Sequence, residues 1–355
     1  MTNEPATSSG GAAPQVVTFT ANPSLDRTLS LPGPLARGGV VRLAPSSTEP
    51  GGKGVNVARA VAAAGVDVLT VLPAADDDPI LRALHGLGLP MATVPVAAPV
   101  RTNYTLAEPD GTTTKLNEPG APLDRAARAD LAATLHRHAV GARWVVLSGS
   151  LPPGTPPDWY ADLVRALRDT GARIAVDTSE APLLALLAAG PDAAPDLLKP
   201  NSEELAQLSG VPEAHLTTNR AAALAALSAL HARGVGEVLL TLGAEGALLS
   251  CADGVWSATP PRIAVRSTVG AGDCSLAGHV LADLAGAPPA ERLRNAVAHG
   301  AASAALPGSA VPGPAQVAAL RVEVAAVRTE ALPGTRTPPP HTSRTTVPAA
   351  GRDVR

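Results

Sequence analysis

Aromatic side chains are nearly absent from this chain: one Phe, two Tyr and three Trp in 355 residues. A core must therefore be packed from Leu, Val, Ile and Ala, and the 45% hydrophobic content is inflated by alanine. Cysteine is equally scarce. Cys251 and Cys274 can build neither a disulfide framework nor a Cys-based zinc site, which fits a reducing compartment. No charge of one sign dominates: the net value is −3, which argues against a nucleic-acid or polyanion partner and leaves room only for a local basic pocket. Long apolar runs are missing too. The most apolar stretch, 181–190, is far too short to cross a bilayer, and the opening MTNEPATSSGGAAPQ has neither the basic start nor the apolar core of a signal peptide. A cytoplasmic protein without a membrane partner is expected. The eight histidines include no metal-spaced pair, since His136 and His138 face apart on a helix.

What is present is a repeating alternation of short apolar strands and amphipathic helices. Strands are expected at 16–20, 68–72, 144–147, 174–177 and 238–241. Helices are expected at 55–64, 124–140, 158–169, 203–208 and 221–232. Such strand–helix–strand repeats imply a mostly parallel sheet covered by helices on both faces. Two stretches break the rhythm. Residues 28–48 and 93–116 lack helical periodicity, and the second holds a hairpin turning at Asp110-Gly111; together they predict a small β layer standing off the main sheet. Residues 1–14 and the Pro, Thr and Arg-rich 330–355 have little to bury and are expected to be tails around one α/β domain at 15–329.

Near the C-terminal end, RIAVRSTVGAGDCSLAGHVLADL predicts a short strand around Ile263 and Val265, a glycine hinge, and a helix carrying Leu276, Val280, Leu281 and Leu284. Gly270 and Gly272 let the backbone turn and approach a ligand, and the free N–H groups of the helix's first turn favour an anion. A carboxylate there, Asp273, is electrostatically awkward unless it takes a proton from a hydroxyl attacking a phosphoryl group. The alternative is an ordinary turn with Asp as a helix cap.

Ligands of open parallel sheets bind at the carboxyl ends of the strands. Polar or glycine clusters recur there: Asn22 and Asp26; Gly51-Gly52-Lys53-Gly54 leading into Asn56; Ser148-Gly149-Ser150; Asp177; Lys199-Pro200-Asn201 with Glu204; and Thr241 to Gly246. Lys53 is a point charge suited to phosphate, or else a surface lysine in a turn. Arg101 and Asn103 share one face of a strand, to hold a phosphate or to protect a sheet edge. Asn201 and Glu204 also fit a helix capping box.

Together GGKGVNVARA and STVGAGDC resemble the two signatures of the ribokinase-like, or PfkB, carbohydrate kinases, and the resemblance extends over about 15–325. TANPSLDRT, RTN, LNEPG, SGSLPPG, DTS and KPNSEEL look most like its phosphosugar kinases, nearest the 1-phosphofructokinase branch. The resemblance implies a three-layer α/β/α fold with a β-sheet lid, and ATP- and Mg²⁺-dependent phosphorylation of a ketohexose phosphate. Fructose 1-phosphate going to fructose 1,6-bisphosphate is the leading reaction; tagatose-6-phosphate kinase and minor 6-phosphofructokinase activities are the alternatives. It also implies roles. Asp273 would be the base, with the amides of Gly270, Ala271, Gly272 and Asp273 around the transferring group. Asp26, Gly52, Lys53, Asn56, Arg101, Asn103 and Ser148 or Ser150 would hold the sugar phosphate. Lys199, Asn201, Glu204, Thr241, Gly243 and Gly246 would line the nucleotide, with Asn201 and Glu204 placing Mg²⁺ through water. A homodimer through the lid is implied as well, covering Val40, Val41, Leu43, Val94, Val96, Val100, Tyr104 and Leu106. A sugar-phosphate-binding regulatory protein without turnover, or a kinase of neutral sugars, would use the same fold. The intact GAGD speaks against the first, and Lys53 with Arg101 against the second. One departure from the family pattern is VLPAADDDPI, where a glycine-rich segment is usual.

Overall fold

The computed structural model describes residues 13–328; the tails expected at 1–14 and 330–355 lie almost wholly outside them. Fourteen strands form two sheets. In chain order they are β1 (Val16–Phe19), β2 (Ser24–Ser30), β3 (Ser47–Gly51), β4 (Val68–Ala74), β5 (Met91–Pro95), β6 (Arg101–Ala107) and β7 (Thr113–Asn117). They continue as β8 (Trp144–Ser148), β9 (Arg173–Asp177), β10 (Leu197–Leu198), β11 (Glu237–Thr241), β12 (Ala247–Cys251), β13 (Gly254–Thr259) and β14 (Glu323–Ala326). The large sheet runs β14-β13-β12-β11-β10-β9-β8-β1-β4-β5. Its members from β5 to β11 pair in parallel, and β12 to β14 add an antiparallel edge.

Alternation along the strands separates two cores. Val17 and Phe19 of β1 face the helices Arg125–Ala139, Trp159–Leu167, Glu180–Ala188, Ser202–Ser209 and Arg220–Ala232. Val16 faces the opposite layer, built from Lys53–Ala63, Pro79–Gly86, Ala271–Leu284 and Pro289–Ala304. This is the three-layer α/β/α arrangement expected. With so few aromatics, Trp144, Tyr160 and Phe19 are fully buried anchors among aliphatic side chains.

The second sheet, β3-β2-β6-β7, is the lid. Its β6–β7 hairpin turns at Pro109-Asp110-Gly111, with Gly111 at φ +91°. The lid boundaries differ from those expected. It begins at Ser24 and runs to Gly51, while 31–46 is loop. Residues 93–95 belong to β5 in the large sheet, where pairing with β4 buries Val94. Val96 and Val100 likewise pack on the two main cores. A continuous 93–116 lid fails because residues 93–95 pair with the edge of β4; the Asp78 carboxylate caps the helix Pro79–Gly86 and also accepts the Val100 amide at 2.8 Å, tying the start of β6 to the body. The ADDDPI departure is thus a fastening point between body and lid.

The strand expected around Ile263 and Val265 does not form. Residues 260–268 run outside both sheets, because β13 is already flanked by β12 and β14, and Pro260 and Pro261 have no N–H to offer a ladder. Arg266 and Ser267 instead donate to the Ala304 carbonyl.

At the amino ends of the parallel strands a buried ion cluster ties sheet to helices. Glu237 of β11 meets Arg173 of β9 at 3.0 Å, Arg292 at 2.7 Å and His279 at 3.2 Å, while Asp283 takes both arginines and the Trp144 indole N–H. Burial would raise the Glu237 carboxyl, but His279 and Arg292 hold it down at about 2. Its contribution is therefore present above the ordinary carboxylate range and lost as pH falls towards 2. Glu237→Ala, which leaves Arg292 and Arg173 with Asp283 alone as acidic partner, is expected to cost about 2–3 kcal/mol of stability at neutral pH, read as a lowered Tm and denaturant midpoint. Substrate KM values should hold, since the cluster lies at the opposite end of the sheet from the cleft described next.

Candidate active site

The carboxyl ends of the parallel strands, the lid and the 260–270 segment enclose one cleft of about 1160 Å³, large enough for two small substrates. The hinge glycines close its floor. Gly270 takes φ +77° and precedes the helix Ala271–Leu284. Asp273, in that helix's first turn, is 6% exposed, and its Oδ2 accepts from Asn56 Nδ2 at 2.9 Å. The first full intrahelical bond runs from Cys274 N to Gly270 O, so the Gly272 and Asp273 amides lie ahead of the ladder. The Ala271 amide makes only a long contact, 3.4 Å, to the Thr268 carbonyl.

A charged triad lines the same cleft, with Asp177 and Lys199 buried and the Lys53 side chain 35% exposed. Asp177, at the end of β9, receives Lys53 Nζ on Oδ1 at 2.9 Å and Lys199 Nζ on Oδ2 at 3.1 Å. Lys53 is therefore not a free surface charge. Burial alone would lower its pKa, but Asp177, then Asp273 and Glu204, hold it above the ordinary lysine value. Burial would likewise raise Asp177, yet Lys199 and Lys53 keep it ionised. Burial, and next the Asp177 charge, push Asp273 up to about 6 against the pull of Lys53, Asn56 and Lys199. Asp177 ended a strand in the sequence but received no role there. Its signal, an acid among lysines at neighbouring strand ends, is legible only once the strand order is known.

Glycines make the close approaches. A side chain on Gly51 would sit 2.2 Å from Asp26 Oδ2, and one on Gly54 2.4 Å from Thr20 Oγ1. On Gly272, a Cβ would press on Lys199 Nζ at 3.4 Å. Gly246 is needed for a different reason than room for a ligand: its Cβ would strike the Ala258 carbonyl at 2.0 Å, so it serves the β11–β12 turn as well as lining the cleft.

The lid presents one face to the cleft. Parallel pairing sets Asp26 opposite Asn103 and Ser24 opposite Arg101. Asn103 Nδ2 donates to Asp26 Oδ1 at 3.0 Å and to Ser24 Oγ at 3.1 Å. The Arg101 guanidinium makes only long contacts, 3.2–3.4 Å, to the Glu118 and Asn22 carbonyls and Ser150 Oγ. Its Nε is buried without a partner, and burial lowers its pKa against the pull of Asp26. Such an under-satisfied fork suits a bidentate anion. Ser150 stands behind Arg101. Neither serine lines the cleft: Ser148 lies fully buried on the Trp144 and Val146 side of the sheet, and Ser150 reaches it only through Arg101.

Asn201 and Glu204 form the capping box, with bonds of 2.7 and 2.8 Å, and still line the cleft beside Lys199, Thr241 and Gly243. Glu204 Oε1 is not used by the box. Burial and Asp177 raise the Glu204 pKa. Among the described residues no three His, Cys, Asp or Glu side chains converge to form a direct protein cage for a metal. His299 is buried against the Asn295 carbonyl and does not line the cleft.

A three-layer α/β/α sheet with a four-stranded lid over a GAGD helix start defines a ribokinase-like sugar kinase. The chain belongs to the pfkB family of carbohydrate kinases, whose pattern matches residues 26–316. It is 40% identical over 267 residues to the 1-phosphofructokinase of Xanthomonas campestris pv. campestris, spanning 74% of this chain and 82% of that protein. It is 38% identical to the 1-phosphofructokinase of Rhodobacter capsulatus, over 86% of this chain and 95% of the relative. The crystal structure of phosphofructokinase-2 from Escherichia coli in complex with substrates and products superimposes with a TM-score of 0.79 at 30% identity, covering 86% and 97% of the two chains.

The triad makes one electrostatic prediction. In Asp177→Asn, loss of a neighbouring negative charge should move the titration midpoint of Asp273 downwards from about 6, read by carbon-13 NMR of labelled aspartate. A midpoint that stays or rises would show that Asp177 is not what holds it up.

Proposed function

We propose that this protein transfers the γ-phosphoryl group of ATP to the free primary hydroxyl of fructose 1-phosphate, giving fructose 1,6-bisphosphate, with Asp273 as general base. One observation carries the reading: a buried carboxylate with a pKa near 6, hydrogen-bonded to Asn56, stands at an anion-favouring helix start in the same cleft as the under-satisfied Arg101 and the buried Lys199. The similarity to the 1-phosphofructokinases of Xanthomonas campestris pv. campestris and Rhodobacter capsulatus supports the substrate. Asp26, Asn56 and Asn103 are of the type that holds sugar hydroxyls. Arg101, with Ser150 behind it, would take the existing phosphate, and Lys53 would add charge to the same end. Asp273 Oδ takes the hydroxyl proton as the sugar oxygen bonds to the γ-phosphorus, and the bond to the β–γ bridging oxygen breaks, leaving ADP. Lys199 and the Gly272 and Asp273 amides would meet the charge on the transferring group. Asn201, Glu204, Thr241, Gly243 and Gly246 would run along the nucleotide. Mg²⁺, placed through water by Asn201 and Glu204, would supply charge neutralisation on the triphosphate.

The deciding experiment is a coupled ADP-release assay across fructose 1-phosphate, fructose 6-phosphate, tagatose 6-phosphate and unphosphorylated fructose. The highest kcat/KM is expected with fructose 1-phosphate; preference for either 6-phosphate would reassign the substrate, and binding without ADP release would make the protein a sensor. Asp273→Asn is expected to keep both Kd values and lose about 10²–10⁴-fold in kcat. Because the base must be ionised, wild-type kcat/KM should fall as pH drops through about 6, and an acid limb far from that value would sink the assignment.

We also infer a homodimer through the lid. Parity puts Leu116 on the outer lid face beside Tyr104, and Val40 and Leu43 are exposed nearby, at 90% and 45%. A patch of this kind needs cover. Val94 and Val96 serve the main core, so they are the wrong positions to charge. Sedimentation should give a dimer that Val40→Asp with Leu116→Asp converts to monomer; a fully active wild-type monomer would rule the pairing out.

A further inference from the structure

Asn56 can steady Asp273 only while its amide points the right way round. An amide has one donor and one acceptor end of almost equal size, and turning the acceptor towards a carboxylate replaces attraction by repulsion. What fixes the orientation is on the same helix one turn later. Arg59 Nη1 lies 3.4 Å from Asn56 Oδ1, so the oxygen end is held by a donor and the nitrogen end is left for Asp273 Oδ2 at 2.9 Å.

Arg59 is itself held from the lid. The same Nη1 reaches the Pro50 carbonyl at 3.3 Å and Ser309 Oγ at 3.4 Å, while Nη2 lies 3.8 Å from Glu49 Oε2. Ser309 donates to that same Glu49 oxygen. Glu49 and Pro50 belong to β3, and Glu49 sits opposite Asp26 in the β2–β3 register. The Arg59 side chain is only 10% exposed, so its charge has little water to fall back on. A continuous run of polar contacts therefore links the lid strand beside the sugar-facing Asp26 to the carboxylate on the floor: Glu49, Arg59, Asn56, Asp273. All of Arg59's contacts are long, as is common before substrates tighten a site.

We propose that Arg59 is a positioning residue that reads the seating of lid strand β3, through Glu49, Ser309 and the Pro50 carbonyl, and transmits it to Asp273 by fixing the Asn56 amide. This rests on the reading of Asp273 as the base. With β3 seated, Arg59 is shared between the lid and Asn56, and the amide donates to the carboxylate. With β3 displaced, Arg59 loses its lid partners and the amide loses its orientation, so the base is set only when the lid is in place over the sugar.

The test is a double-mutant cycle on kcat between Arg59 and Asn56, with Arg59→Met chosen to keep the packed stem. Arg59→Met alone should lower kcat by about 10–100-fold, leave the KM for ATP within about twofold, and move the acid limb of kcat/KM to higher pH by about one unit. The sign follows from a lost donor to a carboxylate whose other charged neighbours, Lys53, Asp177 and Lys199, remain. In an Asn56→Ala background the same substitution should change kcat less than about twofold, because its route to Asp273 is gone. Arg59→Lys, which keeps a donor to Asn56, should recover part of the loss. Additive effects, or a lowered kcat with an unmoved acid limb, would overturn the proposal. Should Arg59→Met not fold, Glu49→Gln is expected to give the same kcat loss and limb shift at smaller amplitude, and the absence of both would overturn it equally. If Asn56→Ala and Asp273→Asn leave turnover intact, it is the base assignment that fails; if they abolish it while Arg59 is uncoupled, only the latch fails.

Discussion

Asp177 holds two lysines that arrive from different parts of the chain, and the rest of the site depends on that contact. Lys53 opens the helix after β3, and Lys199 follows β10; Lys199 would not stay ionised and buried without this carboxylate, and the half-buried Lys53 satisfies its other oxygen. The cost of burying these charges is offset only while both pairs are made, so the carboxyl ends of β9 and β10 and the start of the helix Lys53–Ala63 are locked to one another. The lock has an electrical consequence. With Asp177 satisfied by both cations, the remaining carboxylate, Asp273, feels burial and a neighbouring negative charge together, and it rests near pKa 6. A base of that strength is mostly ionised at neutral pH, yet basic enough to take a proton.

Glycine supplies the space in which those charges meet. Gly51 brings β3 against Asp26, Gly54 brings the helix Lys53–Ala63 against β1, and Gly272 leaves Lys199 beside the hinge. In a chain with so few aromatics the cores on both faces of the sheet are filled by aliphatic side chains in strict alternation, and close backbone approach at the strand ends replaces bulk as the means of shaping the cleft. The lid is joined to this rigid frame by contacts of different kind. Asp78 accepts the Val100 amide just before β6 at 2.8 Å, and Ser309 donates to Glu49 of β3. Arg59 itself reaches β3 only at longer range, 3.3 Å to the Pro50 carbonyl and 3.8 Å to Glu49.

Local pattern was sufficient for the parallel strands and their helices. Each of β1, β4, β8, β9 and β11 is a compact apolar run, and Gly65, Gly171 or an Asp cap marks the helix ends, as at Asp124. The hinge at Gly270 and the capping box at Asn201 are equally local. The errors fell where a sheet edge had to be available. Ile263 and Val265 have strand-like spacing, yet β13 had both neighbours already, so the segment became a wall of the cleft. Residues 93–95 look like the rest of the lid segment but pair with β4, because pairing is decided by which edge is open and not by composition.

The amino-acid sequence by itself determined the fold class, the hinge, the capping box and the set of residue types that gather at the strand ends, since each depends on periodicity or on contacts within a few residues. Tertiary structure alone decided the partnership of Asp177 with two lysines, the withdrawal of Ser148 into the sheet and the run of contacts from Glu49 to Asp273. These bring together groups far apart in the chain, such as Asn56 with Asp273 at a separation of 217. Their direction and distance are fixed by strand order and by close packing, which no local pattern encodes.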